Sequence, residues 1–323
     1  MRWCYLLLII CQLGISSAFA ANQQQRLTSL SQELNIPLKD LQQATKQAQF
    51  QQAVIDAIRR PWEAKPWYQY RDLFLTKERL DAGLAFWQQH QKSLAKAEQA
   101  FQVPAEIIVA IIGVETYYGR HKGTYSVLDA LYTLGFHYPK RGQFFSKEFG
   151  YFIKLAEQQG WGLDEIKGSY AGAMGFGQFI PSSYLYYGVD FDQDGRIDML
   201  NNPIDAIGSV ANYFSQHHWK INQPVVHPAT ASAAQAKPWL SEELKLIHTW
   251  QQLSQAGIAS DDDLSADKMV KLLQLEETNG YSYWLAEHNF YVITRYNRSP
   301  LYAMAVYQFS QQLKQAKAQL DAN

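Results

Sequence analysis

Glu115 has the setting that points most directly to chemistry. It follows the apolar run Ile107-Ile108-Val109-Ala110-Ile111-Ile112-Gly113-Val114, and its neighbours at helical spacing are Ile108, Ile111 and Ile112. A carboxylate on an apolar stripe is desolvated, which raises its pKa and favours the protonated acid near neutral pH. A carboxylic acid able to donate a proton is what cleavage of a glycosidic bond requires. On spacing alone the same residue could close a core helix and pair with Arg120 or Lys122. The neighbours Thr116-Tyr117-Tyr118-Gly119 lean towards a site.

Asp190-Phe191-Asp192-Gln193-Asp194-Gly195-Arg196-Ile197-Asp198 is a second candidate. Carboxylates at alternate positions, a glycine and then a backbone carbonyl (Arg196) form the first half of an EF-hand calcium loop. Asn201 stands where that loop has its bidentate glutamate, so the site suits the millimolar calcium found outside the cytoplasm. Without a cation the stretch could be an acidic Asx-turn loop, but three alternating carboxylates repel one another, which favours metal. The segment Gly168–Ser182 holds four glycines and little charge, and lacks the lysine and spacing of a phosphate loop. Its glycines could admit a neutral ligand such as a sugar, or simply let helices pack closely. His217-His218 are adjacent and share no face, and no H-E-x-x-H spacing occurs, so a histidine metal centre is not expected.

These residues must be carried by elements. Pro104-Ala105-Glu106 starts the Glu115 helix, with proline near its first turn. Thr76 caps one long helix that runs to Ala100, and helix returns from Tyr302 to Leu320. Between them, the runs Pro224–His227, Leu244–His248, Val270–Leu275, Tyr281–Trp284 and Phe290–Thr294 read as strands. The expected fold is mainly α (α+β), with a small antiparallel β subdomain inserted late. Its segments are 1–20 (leader), 21–100 (helical region), 101–220 (core with the cation loop), 221–296 (β subdomain) and 297–323 (returning helix).

Composition narrows the function classes. The 323 residues carry 29 Lys+Arg against 30 Asp+Glu, which gives no electrostatic reason to expect nucleic acid. Aromatic residues make up 14%, an excess that sugar stacking would use. Met1-Arg2, an apolar run and Ala18-Phe19-Ala20 form a secretory leader pattern. Both cysteines, Cys4 and Cys11, lie within it, so cleavage after Ala20 leaves no thiol chemistry. A lipid anchor at Cys11 would follow bulky Ile10 inside the apolar run, so the soluble exported form is expected over a lipoprotein.

Ile111-Ile112-Gly113-Val114-Glu115-Thr116, Ala171–Tyr184, and Ile293-Thr294-Arg295-Tyr296-Asn297 followed by Tyr302–Val306 resemble the lytic murein transglycosylase B family. The likeness runs from about Tyr70 to about Phe309 through several ordered motifs. It implies a lysozyme-like helical core and peptidoglycan as substrate, with Glu115 as the single catalytic acid/base. It further implies that Ser169 and Gln178 line the cleft, and that Tyr70, Tyr213, Tyr296, Asn297 and Tyr302 complete a sugar groove. Lys140-Arg141 would meet the carboxylates of the peptide stems. The family's cation loop closes with a later aspartate, so the implied ligands are Asp190, Asp192, Asp194, Arg196 (through its carbonyl) and Asp205, with a structural Ca2+ and no catalytic cofactor. The resemblance implies bond cleavage between N-acetylmuramic acid and N-acetylglucosamine with a 1,6-anhydro product. Alternatives are a hydrolytic muramidase and a non-catalytic peptidoglycan-binding scaffold. The expected form is a monomer, with peptidoglycan-synthesis complexes as possible partners.

Overall fold

A computed structural model of the chain describes residues 20–60 and 65–322. The expected leader falls outside the described residues except for Ala20, and Trp62 lies outside them too. Two compact units are present: Met1–Arg60 with Lys122–Tyr186, and Pro61–His121 with Tyr187–Asn323. They interleave along the chain, whereas the segments read from the sequence follow chain order.

In the first unit the helices Val127–His137 and Gly142–Gln159 pack against one another, and Gln52–Ile58 packs on the former. Phe145, Phe149 and Phe152 recur at helical spacing and are fully buried. Ser126 caps its helix by accepting from the Asp129 N–H at 3.3 Å. The Asp129 carboxylate in turn accepts from the Gln49 N–H at 2.8 Å. A ribbon of β1 (Tyr125–Ser126) and β2 (Lys167–Gly168) completes this unit.

The second unit is built on the buried helix Ala105–Thr116, against which Pro300–Ala322, Pro203–Gln216 and Lys77–Gln89 pack. Lys314 of the returning helix pairs with Glu106 at 3.0 Å. Its sheet is antiparallel in the order β3 (Val226–Ala229), β6 (Gly280–Ala286), β5 (Met269–Glu277), β4 (His248–Thr249). Val270, Leu272, Tyr283 and Leu285 bury one sheet face with Leu253 and Ile258. Among the described residues no single helix is long and apolar enough to cross a membrane.

Three expectations need correction. Phe290–Thr294 is helical, inside His288–Tyr296, although its residues favour strands. Tertiary contacts override that preference: Asn289, Phe290, Val292 and Ile293 are buried, and the Asn289 amide satisfies backbone groups of Lys220 and Gln223. From Leu244–His248 only His248 enters the sheet, paired with Val270, and the residues before it form an irregular segment. The helix expected from Thr76 to Ala100 is two, Lys77–Gln89 and Gln91–Phe101, because His90 leaves helical geometry at φ −110°, ψ 22°. Thr76 does cap the first, accepting from the Arg79 N–H at 3.2 Å.

Candidate active site

Eleven of the twelve residues of Ala105–Thr116 are buried, and Glu115 is the exception, half-buried in the last turn. The helix stops at once beyond it. Tyr117 and Tyr118 both take left-handed conformations (φ 51° and 60°), and their N–H groups donate to the Gly113 and Ile112 carbonyls. Gly113 is needed here because a Cβ would lie 2.5 Å from the Tyr118 hydroxyl and 3.0 Å from the Phe309 ring.

Tyr302 donates from its hydroxyl to Glu115 Oε1 at 2.5 Å. It is brought there by the N-terminus of Pro300–Ala322, where Ser299 precedes the proline and its hydroxyl accepts from the Tyr302 N–H at 3.3 Å. Burial pushes the Glu115 carboxyl up to about 7, and the Tyr302 hydrogen bond works against that rise. Tyr302 and Tyr296 are both held well above the usual phenol range, by burial first and by the Glu115 charge second. Tyr70, buried, also acts on Tyr302. The carboxyl group therefore faces neutral phenols that can donate hydrogen bonds.

Tyr213 supports this cluster from Pro203–Gln216. Its hydroxyl donates to the Arg295 carbonyl at 2.5 Å, and its ring meets Tyr296 edge-on at 4.8 Å. Asn297 ends the helix that carries Tyr296, in extended conformation and half-buried. The second unit thus gathers Glu115, Tyr70, Tyr213, Tyr296 and Tyr302, and Asn297 follows Tyr296 directly.

Ser169 and Gln178 belong to the first unit, where both hold the Gly-rich segment. Ser169 Oγ accepts from the Ala171 and Ala173 N–H groups, and Gln178 Nε2 donates to the Lys122 and Gly175 carbonyls. Gly172, at φ 79°, faces Leu131, whose Cδ2 would sit 2.4 Å from an added Cβ. Close packing inside the unit therefore accounts for that glycine.

In the acidic loop, Asp190, Asp192 and Asp194 each place a carboxylate oxygen within 4.8 Å of the others'. Three hard oxygen donors at that separation fit a calcium-sized cation. The Arg196 N–H donates to Asp194 and the Gly195 N–H to Asp190, which fixes the turn between them. Asp205 is fully buried, and its carboxylate accepts from the Phe191 N–H at 2.8 Å and the Asp198 N–H at 2.7 Å. Sequence reading placed Asp205 with the loop but could not anticipate that both of its oxygens take backbone donors.

Residues 18–311 match the family described as the transglycosylase SLT domain. The chain belongs to this family. It is 40% identical over 320 residues to the membrane-bound lytic murein transglycosylase B of Escherichia coli, covering 96% of this chain and 87% of that protein. The crystal structure of the soluble lytic transglycosylase SltB1 from Pseudomonas aeruginosa superposes with a TM-score of 0.84 at 42% identity, covering 92% of this chain and 99% of that one. The E. coli lytic transglycosylase Slt35 in complex with calcium superposes at 0.82 with 40% identity, covering 92% and 94%. The lysozyme-like fold class read from the sequence holds.

Proposed function

We propose that the chain is a lytic transglycosylase that cleaves peptidoglycan between N-acetylmuramic acid and N-acetylglucosamine, with Glu115 as its acid and base. The observation that carries this reading is a carboxyl group pushed up to about 7 by burial, at the one opening in an otherwise buried helix. Protonated, Glu115 delivers its proton to the glycosidic oxygen as the bond to the muramoyl C1 breaks. The positive charge that develops at C1 is assisted by the substrate's own acetamido group. The Glu115 carboxylate then takes the proton of the muramoyl C6 hydroxyl, whose oxygen closes onto C1 to give the 1,6-anhydro ring. One carboxyl group does both steps, so the second carboxylate of most glycosidases is not required.

Tyr70, Tyr213, Tyr296, Asn297 and Tyr302 would bind the sugar strand around that acid. Tyr302 has the further task of steadying the carboxylate form through its hydroxyl. In an assay of soluble fragments released from sacculi, Glu115→Gln should lose at least ~10³-fold of the rate while keeping the fold. A variant as active as the wild type would remove Glu115 from the chemistry.

Calcium is the cation the acidic loop would hold, through Asp190, Asp192, Asp194, the Arg196 carbonyl and Asp205, whose carboxylate also ties the loop ends. The calcium bound by the E. coli relative supports that choice. Its role here is structural. The leader pattern of residues 1–20 supports a soluble periplasmic enzyme, whereas the E. coli relative is named membrane-bound. Release by osmotic shock, against retention in the membrane pellet, separates the two.

A further inference from the structure

Strand β5 (Met269–Glu277) has two neighbours of unequal length. β6 pairs with it from Lys271 to Glu277, and β4 only at Met269 and Val270. Two bonds at the ends of the sheet fix which way its backbone points. The Glu287 N–H donates to the Val225 carbonyl, and hydrogen-bonded pairs alternate along an antiparallel ladder. His227–Leu285 is therefore bonded between β3 and β6, and Lys271–Ala286, Leu273–Trp284 and Leu275–Ser282 are the bonded pairs between β5 and β6. On the other side, the Trp250 N–H donates to the Lys268 carbonyl, which makes His248–Val270 the last bonded pair with β4. Leu272, Gln274 and Glu276 thus turn their N–H and carbonyl groups away from β6. The chain has left the sheet at Leu246, the residue that would face Leu272, and among the described residues no other group bonds to these backbone atoms.

An unpaired edge is a template for another strand, and proteins ordinarily blunt or cover one. Here the edge opens into a cavity of about 400 Å³, lined by β5 from Lys271 to Leu275, by Leu240, Ser241 and Glu242, and by Pro300 and Leu301. The Lys271 ammonium donates to the Ser241 carbonyl at 2.6 Å, with Glu243 offsetting part of its burial, so it secures the wall. Leu240 and Leu301 supply apolar surface, and exposed carboxylates stand at Glu242 and at Glu276, the residue of β5 next beyond the cavity. A recess of that size admits one extended segment of a few residues and excludes the edge of a second sheet.

We propose that the open edge of β5 is a docking site for an extended segment of a partner protein, which adds as a strand and pairs with Leu272 and Gln274. The outward groups of those two residues stand about 7 Å apart, the two-residue repeat of a strand. Apolar side chains of the segment lie against Leu240 and Leu301, and a lysine or arginine at its ends meets Glu242 or Glu276. Docking here does not depend on the reaction proposed for Glu115.

The probe is the acetylated and amidated hexapeptide Lys-Val-Thr-Val-Thr-Lys, added to the full chain while amide hydrogen exchange is followed. The Leu272 and Gln274 amides should exchange readily in the free protein and slow at least ~10-fold at saturating peptide, while Leu273 and Leu275, already bonded to β6, change little. No saturable binding, or binding that leaves the Leu272 and Gln274 amides unchanged, overturns the site. Gln274→Pro removes one outward N–H at an edge position where proline is tolerated, and should weaken the peptide about tenfold. An unweakened variant contradicts the proposal. N-methylation of the peptide at alternate positions tests the same bonds without altering the protein. The phase whose methyl groups face β5 should lose binding, and equal behaviour of both phases contradicts strand addition. A dimer whose Leu272 and Gln274 amides are protected before peptide is added would give the edge to a second copy and overturn the proposal as well.

Discussion

Glu115 sets the pH dependence of the molecule. Its carboxyl is raised to about 7 from an ordinary 4.5, so the acid form is populated below that value and is lost as pH rises through it. Activity should fall along a limb near pH 7 in a kcat/KM profile. The Tyr302 hydroxyl favours the carboxylate, so Tyr302→Phe should move that limb upward. A limb that stays in place would detach Tyr302 from Glu115. Stability carries the same signature. A carboxyl raised in the folded state binds its proton more tightly there, so its contribution is complete below about 4.5 and lost as pH passes 7. Glu115→Gln should therefore match the wild type in denaturant unfolding at pH 4 and exceed it by ~2–3 kcal/mol at pH 8. The acid was legible in the sequence because Glu115 follows an unbroken run of eight uncharged, mostly apolar residues. Its partner was not legible by spacing, since Tyr302 lies 187 residues away and only tertiary packing brings it back.

At the scale of elements, two local devices hold the site. The first is the helix His288–Tyr296, which the sequence misrepresents as a strand because Val292, Ile293 and Thr294 are β-branched. Periodicity over five residues cannot separate a short buried helix from a strand. The deciding contact is nonlocal: Asn289 accepts from the Lys220 N–H and donates to the Lys220 and Gln223 carbonyls. Asn289→Ala removes these three part-buried hydrogen bonds and should cost about 1–3 kcal/mol in denaturant unfolding. The second device is the acidic loop, whose sequence pattern was plain. Calcium at tenfold its Kd should add about 1.4 kcal/mol, read as a rise of a few degrees in melting temperature that chelator reverses. Asp194→Asn should abolish the calcium response, and a response that survives would place the ion elsewhere.

For the molecule as a whole, the helical body and the late sheet were readable from hydrophobic periodicity and turn residues, but the division into units was not. A segment boundary can be read where composition changes, as near Ile221. The compact units instead join Pro61–His121 to Tyr187–Asn323, a pairing made by buried helix faces far apart in sequence. The same long-range packing explains why Glu115, Tyr296 and Tyr302 come from three separate elements yet meet at one carboxyl group, with Tyr213 of a fourth backing Tyr296. The most direct test is mass spectrometry of the fragments released from purified sacculi. The account predicts 1,6-anhydromuramoyl ends, lighter by one water than reducing ends; fragments ending in reducing muramic acid would contradict it.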